Sequence, residues 1–201
     1  MKKRLLTLAL AICVLAPMTL SARAFDFNLG ATAQFQQDVS NSEPAVEDLS
    51  NLDNYRFGAE TRLNFLLLEV TDTALFGSAN TSTSGTIDAV EFTNHLTGGV
   101  YMDLLNIVRV GLGAGPQLEM QVSADGVKDS NGDSFTVESF FTTPNFTYKA
   151  HVDFLLGETL TLSATYTLPT SFNLDNMDLT KLIPDGSNWD EGRVGVSLLL
   201  F

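Results

Sequence analysis

Residues 159–168 read Thr159-Leu-Thr-Leu-Ser-Ala-Thr-Tyr-Thr-Leu168, with a hydroxyl side chain at every odd position and an apolar or aromatic one at every even position. Successive side chains of a β-strand point to opposite faces, so this period of two predicts a strand with one polar and one apolar face. An amphipathic helix would instead repeat its apolar residues three or four positions apart.

The same alternation recurs along the chain. It is found in four further segments: 25–37, 55–65, 90–102 and 108–122. After residue 24 no stretch carries a convincing helical stripe of apolar residues. We therefore predict an all-β protein.

Short and long connections alternate between these segments. Leu-Leu pairs mark three short reversals, at 66–67, 104–105 and 155–156, whereas the longer polar segments are 38–53, 79–88, 123–134 and 170–190. Eight strands are predicted: 25–37, 54–66, 68–78, 89–102, 107–122, 135–153, 159–169 and 191–201. An even number of strands with alternating short and long connections is typical of an up-and-down transmembrane β-barrel.

The composition of the two faces indicates which one meets the solvent. Strands that face water normally carry many lysines, but after residue 24 only Lys128, Lys149 and Lys181 remain. The polar face holds small residues and charges of both signs, and the apolar face has aromatic residues near the strand ends. A soluble barrel places its apolar side chains inside, and a membrane barrel places them outside. The pattern favours the membrane barrel.

The first residues resemble a secretory signal. Lys2, Lys3 and Arg4 precede an apolar run at 5–15, and Ala22-Arg23-Ala24 is a suitable cleavage site. We predict a cleaved signal peptide at 1–24 and a barrel domain at 25–201. The run is shorter than the roughly 20 residues that a membrane-spanning helix needs. A lipoprotein signal at Cys13 is an alternative, but Ile12 is large for the position before a lipidated cysteine.

Cleavage would leave a strongly acidic chain. It removes four of the 11 basic residues and none of the 24 acidic ones, so 7 basic against 24 acidic residues give a net charge of −17. Phosphate recognition needs clustered Lys and Arg, which argues against a nucleic-acid partner.

The last nine residues run from Arg193 to Phe201 as an alternating strand that ends in phenylalanine. This segment resembles the C-terminal signal of outer-membrane β-barrel proteins, which the barrel assembly machinery recognises. With the signal peptide and eight strands, the chain resembles the small-barrel superfamily of OmpX, OmpW and the OmpA membrane domain. The resemblance implies an outer-membrane location, contact with outer-membrane lipids and a role for Phe201 in assembly.

The strand parity departs from this family pattern at two places. If Arg193 faces inward, strict alternation places the Phe201 side chain inward as well, whereas in the family pattern the terminal phenylalanine points outward. Either a bulge shifts the register of the last strand or Arg193 lies above the membrane. A second parity change near Pro144 and Asn145 predicts a bulge in the sixth strand.

The polar face predicts an interior network. Eight strands enclose a space that side chains can fill, and buried charges require partners. The sequence therefore favours a lumen plugged by ion pairs over a continuous channel. The predicted members are Arg56, Glu60, Arg62, Glu91, His95, Arg109, Glu119, Lys149 and Asp153.

One glycine-rich segment superficially matches a dinucleotide-binding loop. Gly111, Gly113 and Gly115 follow an apolar strand, but Pro116 stands next and no helix follows. We interpret the three glycines as inward positions that make room for bulky side chains across a narrow barrel, and we predict no cofactor.

The remaining polar residues suggest two chemical functions. The two histidines, His95 and His151, could serve a lipid-modifying enzyme, but no nucleophile motif accompanies them, so we predict no catalytic residues. In the third loop Asp129, Asn131 and Asp133 are oxygen ligands at short spacing, yet the glutamate that completes a calcium loop is missing. They are weak candidates for a divalent cation site.

The sequence thus predicts a structural or surface-interaction protein, whose acidic loops could contact divalent cations or an extracellular partner. A transport barrel for small hydrophobic molecules, as in OmpW-like proteins, is the alternative. A lipid-modifying enzyme is less favoured.

Overall fold

The computed structural model describes residues 25–36, 52–81, 87–104, 107–129, 133–136, 145–173, 178–184 and 192–200. The predicted signal peptide, Asn131 and Phe201 lie outside the described residues, as do parts of the four predicted loops. Within the described ranges, no helix combines the length and apolar character needed to cross a membrane.

Nine strands make up most of the described chain. They are β1 (Asp26–Gln36), β2 (Tyr55–Phe65), β3 (Leu68–Thr81), β4 (Ile87–Leu104), β5 (Val108–Ser123), β6 (Gly126–Asp129), β7 (Asn145–Leu156), β8 (Leu160–Asn173) and β9 (Arg193–Leu200). Two short 3-10 helices, Leu52–Asn54 and Leu179–Leu182, lie at the end of the barrel that carries the long connections. We call this the loop end and the opposite one the turn end.

Eight of the strands close into a ring. Each pairs antiparallel with its neighbours in the order β1-β2-β3-β4-β5-β7-β8-β9, and β9 returns to pair with β1. The closing ladder runs from Leu29 opposite Leu200 to Gln36 opposite Arg193. The eight-stranded antiparallel up-and-down barrel predicted from the sequence is confirmed.

The barrel buries its polar side chains and exposes its apolar ones. In β8, Thr161, Ser163 and Thr165 are buried, whereas Leu162 is exposed. A water-soluble protein has the opposite arrangement, because apolar surface is unfavourable in water. An outer surface of apolar side chains around a polar interior is the arrangement of a small outer-membrane-type barrel, as predicted.

Several strand boundaries differ from the prediction. The segment 123–134 was expected to be a loop, but Gly126–Asp129 forms β6 and pairs with the end of β5. The predicted sixth strand, 135–153, instead corresponds to β7, which begins at Asn145 and continues to Leu156. β3 and β8 also extend beyond their predicted ends. A strand can continue through a polar segment as long as a neighbouring strand extends the hydrogen-bonded ladder. Strand ends predicted from polar composition therefore fall short of the observed ends of β3 and β8.

The register of the last strands is resolved over the described residues. In β9 burial alternates without interruption from Arg193, which points inward, to Leu200, which points outward. The pairing of β9 shows no bulge over this range. In β7 a register shift lies between Asn145 and Phe146, next to the predicted bulge.

Gly111 illustrates how the narrow interior is filled. A Cβ atom at this position would overlap the imidazole ring of His151, which lies on the neighbouring strand β7. The absence of a side chain at Gly111 therefore makes room for His151, as expected for an inward glycine.

We predict that Gly111→Val destabilises the barrel by about 1–3 kcal/mol, because overpacking would displace the His151 ring. Urea titration of the refolded protein in micelles, with folded and unfolded fractions separated on an unboiled gel, measures this change. Gly98→Val is the matched control, since a Cβ at Gly98 would meet open space. Equal destabilisation by both substitutions would contradict this packing role.

Candidate functional site

The centre of the barrel interior is occupied by Arg62. Glu60 and Arg62 lie two positions apart on β2, so both side chains point inward. Arg62 Nε donates to Glu60 Oε1 at 2.5 Å, Nη1 donates to Asp153 Oδ2 at 2.6 Å, and Nη2 donates to Ser163 Oγ at 2.7 Å. The two carboxylates and the guanidinium are fully buried. Arg62 thus connects β2 to both β7 and β8 across the lumen.

Lys149 makes a second connection across the same space. Its Nζ lies 3.1 Å from Glu60 Oε2 and donates to Thr73 Oγ1 at 3.1 Å. Ser197 Oγ donates to Glu60 Oε2 at 2.9 Å. We call Glu60, Arg62, Lys149 and Asp153 the central cluster; its two positive and two negative charges balance. Balance matters here because an unpaired charge in a low-dielectric interior is strongly unfavourable.

A second group of charges lies at the turn end. Arg109 Nε donates to Asp103 Oδ1 at 2.6 Å, and Arg109 Nη1 lies 3.7 Å from Asp26 Oδ2. The guanidinium carbon stands 4.4 Å from the centroid of the Tyr101 ring, which is a cation–π geometry. These contacts tie the start of β1 to β4 and β5.

A third group surrounds the loop end. Arg56 Nη2 lies 2.6 Å from Glu91 Oε1, and its Nη1 lies 3.8 Å from Glu119 Oε1. Arg193 Nη2 donates to the same Glu119 oxygen at 2.9 Å. A cavity of about 410 Å³ opens among these side chains, and it is also lined by Gln117, Asn145, Pro169 and Thr170. The mouth of the barrel is therefore polar and its four charges are balanced.

The nine residues predicted for the interior network do not form one cluster. Eight of them, all except His95, divide among the three groups described above. His95 is fully buried, and neither of its ring nitrogens has a hydrogen-bond partner in the part of the chain that the structure describes. The sequence list omitted Asp26, Asp103 and Arg193, although strand parity could have placed each of them on the inward face.

Both histidines are buried in the barrel interior. His151 Nε2 lies 3.5 Å from Glu69 Oε2 and 3.6 Å from Asp153 Oδ2, so its ring contacts carboxylates. His95 stands opposite Thr73 and His151 opposite Thr165, but the described hydrogen bonds of the histidines include none to a serine or threonine hydroxyl.

The described weak metal candidates, Asp129 and Asp133, lie at the end of β6 that is away from the β5–β6 turn. The backbone N–H of Asp133 donates to Asp129 Oδ1 at 3.1 Å, and the N–H of Asp129 donates to the Asp133 carbonyl at 2.9 Å. Asn131 lies outside the described residues. Over the ranges that the structure covers, no group of three or more His, Cys, Asp or Glu side chains is arranged to hold a metal ion.

Comparison with known proteins finds similarity among solved structures. No protein-family model matches the sequence, and no curated protein matches it. The attachment invasion locus protein Ail of Yersinia pestis is 15% identical, with a TM-score of 0.45 over 88% of this chain and 94% of Ail. Neisserial surface protein A (NspA) is 13% identical, with a TM-score of 0.45 over 88% of this chain and 95% of NspA. Ail in complex with the heparin analogue sucrose octasulfate is 16% identical, with a TM-score of 0.41 over 88% and 94% of the two chains. The barrel fold of this chain follows from its own strand pairing.

We predict that Arg62→Leu destabilises the barrel by about 3–5 kcal/mol, because Glu60 and Asp153 would lose their buried counter-ion. The double variant Arg62→Leu/Asp153→Leu should lose less than the sum of the two single variants, since the residues act as a pair. Urea titrations of all three proteins in micelles measure these free energies. Lys181→Leu, at an exposed lysine, is the control and should shift stability by less than about 0.5 kcal/mol. Additive losses from the two single variants would contradict the pairing.

Proposed function

We propose that the protein is an integral outer-membrane barrel with a plugged interior, which acts at the cell surface in a structural or interaction role. The observation that carries the proposal is the buried Arg62–Asp153 ion pair. In the ring of eight strands, β2 and β7 stand four strands apart in either direction, so they lie on opposite walls. The Arg62 and Asp153 side chains, which meet at 2.6 Å, therefore together bridge the full diameter of the lumen.

The pair between Lys149 and Glu60 supports the same interpretation. It also joins β7 to β2, at a position nearer the loop end, and thus provides a second diametric contact. An eight-stranded barrel leaves space only for side chains or one small ligand. Two stacked ion pairs across that space leave no room for a continuous aqueous path through the central cluster.

The same contacts argue against the transport alternative. A conduit for small hydrophobic molecules needs apolar lining, whereas the loop-end cavity is lined, apart from Pro169, by two arginines, two glutamates and amide or hydroxyl side chains. The central cluster lies directly below this cavity. Function is therefore assigned to the outer surface and the loops rather than to the lumen.

The membrane location rests on the exposed apolar band together with the sequence features at both ends of the chain. The signal peptide 1–24 would direct export, and the segment ending in Phe201 would be recognised by the barrel assembly machinery. Outer-membrane lipids would then cover the band of exposed Leu, Val and Phe side chains. The acidic loops would face the exterior, where they could attract divalent cations or contact an extracellular partner.

The plugged interior predicts an absence of channels. Purified protein in planar lipid bilayers should show no stepwise conductance. Replacing all four residues of the central cluster with alanine should open the lumen, because it removes both diametric contacts. The heat-dependent mobility shift on an unboiled gel serves as the folding control for both proteins. Steady channels from the unmodified protein would overturn the plugged interior.

A loop deletion tests the surface role. Removing residues 40–50 should leave the heat-dependent shift unchanged, since this segment lies outside the predicted strands. The deletion removes Glu43, Glu47 and Asp48, so calcium binding measured by titration calorimetry should decrease. A deletion of 123–125, which shortens the β5–β6 hairpin and removes one acid, is the comparison. Loss of the barrel on deleting 40–50 would show that this segment is structural.

A further inference from the structure

A carboxylate on the outer wall of the barrel stands out from its surroundings. Asp72 of β3 and Asn94 of β4 both point outward and are half-exposed. Asn94 Nδ2 donates to Asp72 Oδ1 at 2.7 Å. Among the outward side chains of the eight barrel strands whose exposure the structure describes, Asp72 is the only charged one.

Its position places it within the apolar band. Asp72 lies four residues beyond Leu68, where β3 leaves a short turn, so it is about 13 Å along the strand from the turn end. Strand tilt reduces this to roughly 10 Å along the barrel axis, within an apolar band about 25 Å tall. The neighbouring outward residues Val70 and Leu96 are exposed apolar side chains. A polar group that faces lipid at this depth is unfavourable unless something covers it.

The wall around this pair is shallow. Three alanines lie side by side on β1, β2 and β3, and the row continues to Asn94 on β4: Ala31 pairs with Ala59, Ala59 with Ala74, and Ala74 with Asn94. Thr61 stands directly opposite Asp72 in the next row. Small residues allow two membrane-embedded backbones to approach closely, which hydrogen bonds between polar side chains require.

We propose that this outward face of β1–β4 is the interface of a homodimer within the membrane, in which Asp72 and Asn94 of one copy bind Asn94 and Asp72 of the other. The inference rests on the membrane location proposed above. A two-fold interface brings the same patch together from both copies, so the patch must be self-complementary. The Asp72–Asn94 pair satisfies this condition.

The hydrogen-bonding capacity of the pair supports a second copy as the occupant. After the internal bond, Asp72 retains the acceptor Oδ2, and Asn94 retains a second amide hydrogen. Each free donor of one copy can therefore meet a free acceptor of the other. The outward face described for this chain offers no basic side chain, so the complement within a pair of copies is the Asn94 amide.

Cysteine cross-linking in native membranes tests the interface. Ala74→Cys, introduced into the full chain, should form a disulfide-linked dimer when membranes are oxidised with copper phenanthroline. Leu162→Cys is the matched control, because Leu162 is an exposed residue of β8, four strands from β3 around the ring. The single native cysteine, Cys13, lies in the predicted signal peptide, so after cleavage each variant carries only the introduced thiol. Equal cross-linking at the two positions would overturn the proposed interface.

Substitution of Asp72 tests the polar pair itself. In the Ala74→Cys background, Asp72→Leu should abolish the cross-linked dimer, whereas Asp72→Asn should retain it because an amide can still hydrogen-bond Asn94. The heat-dependent mobility shift confirms that each variant is a folded barrel. Cross-linking that persists after Asp72→Leu would overturn the proposal. Folded, membrane-bound protein that stays monomeric refutes the dimer alone, whereas soluble protein without the shift refutes the membrane location and the dimer together.

Discussion

Closure of the backbone between β1 and β9 is the constraint from which the other features of this barrel follow. In a lipid environment an unpaired peptide group has no water to bond, so a sheet is stable there only when its edges pair with each other. The ladder between Leu29 and Gln36 on β1 and the last strand meets this requirement. With eight strands the enclosed space is narrow, and the inward side chains must fill it.

Because the lumen is narrow, its charged side chains are buried and each needs a partner of opposite charge. Arg62 and Lys149 meet Glu60 and Asp153 in the central cluster. A second balanced group lies at the loop end, and Arg109 meets two aspartates at the turn end. Such pairs contribute little net stability compared with apolar packing, but the loss of one partner is costly. Here they hold opposite walls at a defined distance while the apolar side chains face outward. In the proposed function the interior is structural, and the loops and the outer wall are the surfaces available for interaction.

The outer wall departs from its own pattern at Asp72 and Asn94. Most other outward side chains described on the eight barrel strands are apolar, and none whose exposure is described carries a charge, so this departure supports the proposed protein contact. The row of alanines beside the pair fits the same interpretation, since close approach between barrels requires small side chains. A dimer of plugged barrels would also double the number of surface loops presented by one assembly.

The sequence by itself determined the barrel and, except in the sixth and last predicted strands, the side of each strand that faces inward. Alternation with a period of two is a local property of the chain, and it was enough to assign Thr161 and Arg62 to the interior. The Leu-Leu reversals, together with the long polar segments, were enough to count eight strands. Only the tertiary structure decided which inward groups meet. Arg62 contacts Asp153 across a separation of 91 residues, and that contact depends on strand tilt and register around the closed ring. The same dependence left His95 apart from the charged clusters, placed β6 within a predicted loop, and brought Asp72 beside Asn94 on neighbouring strands.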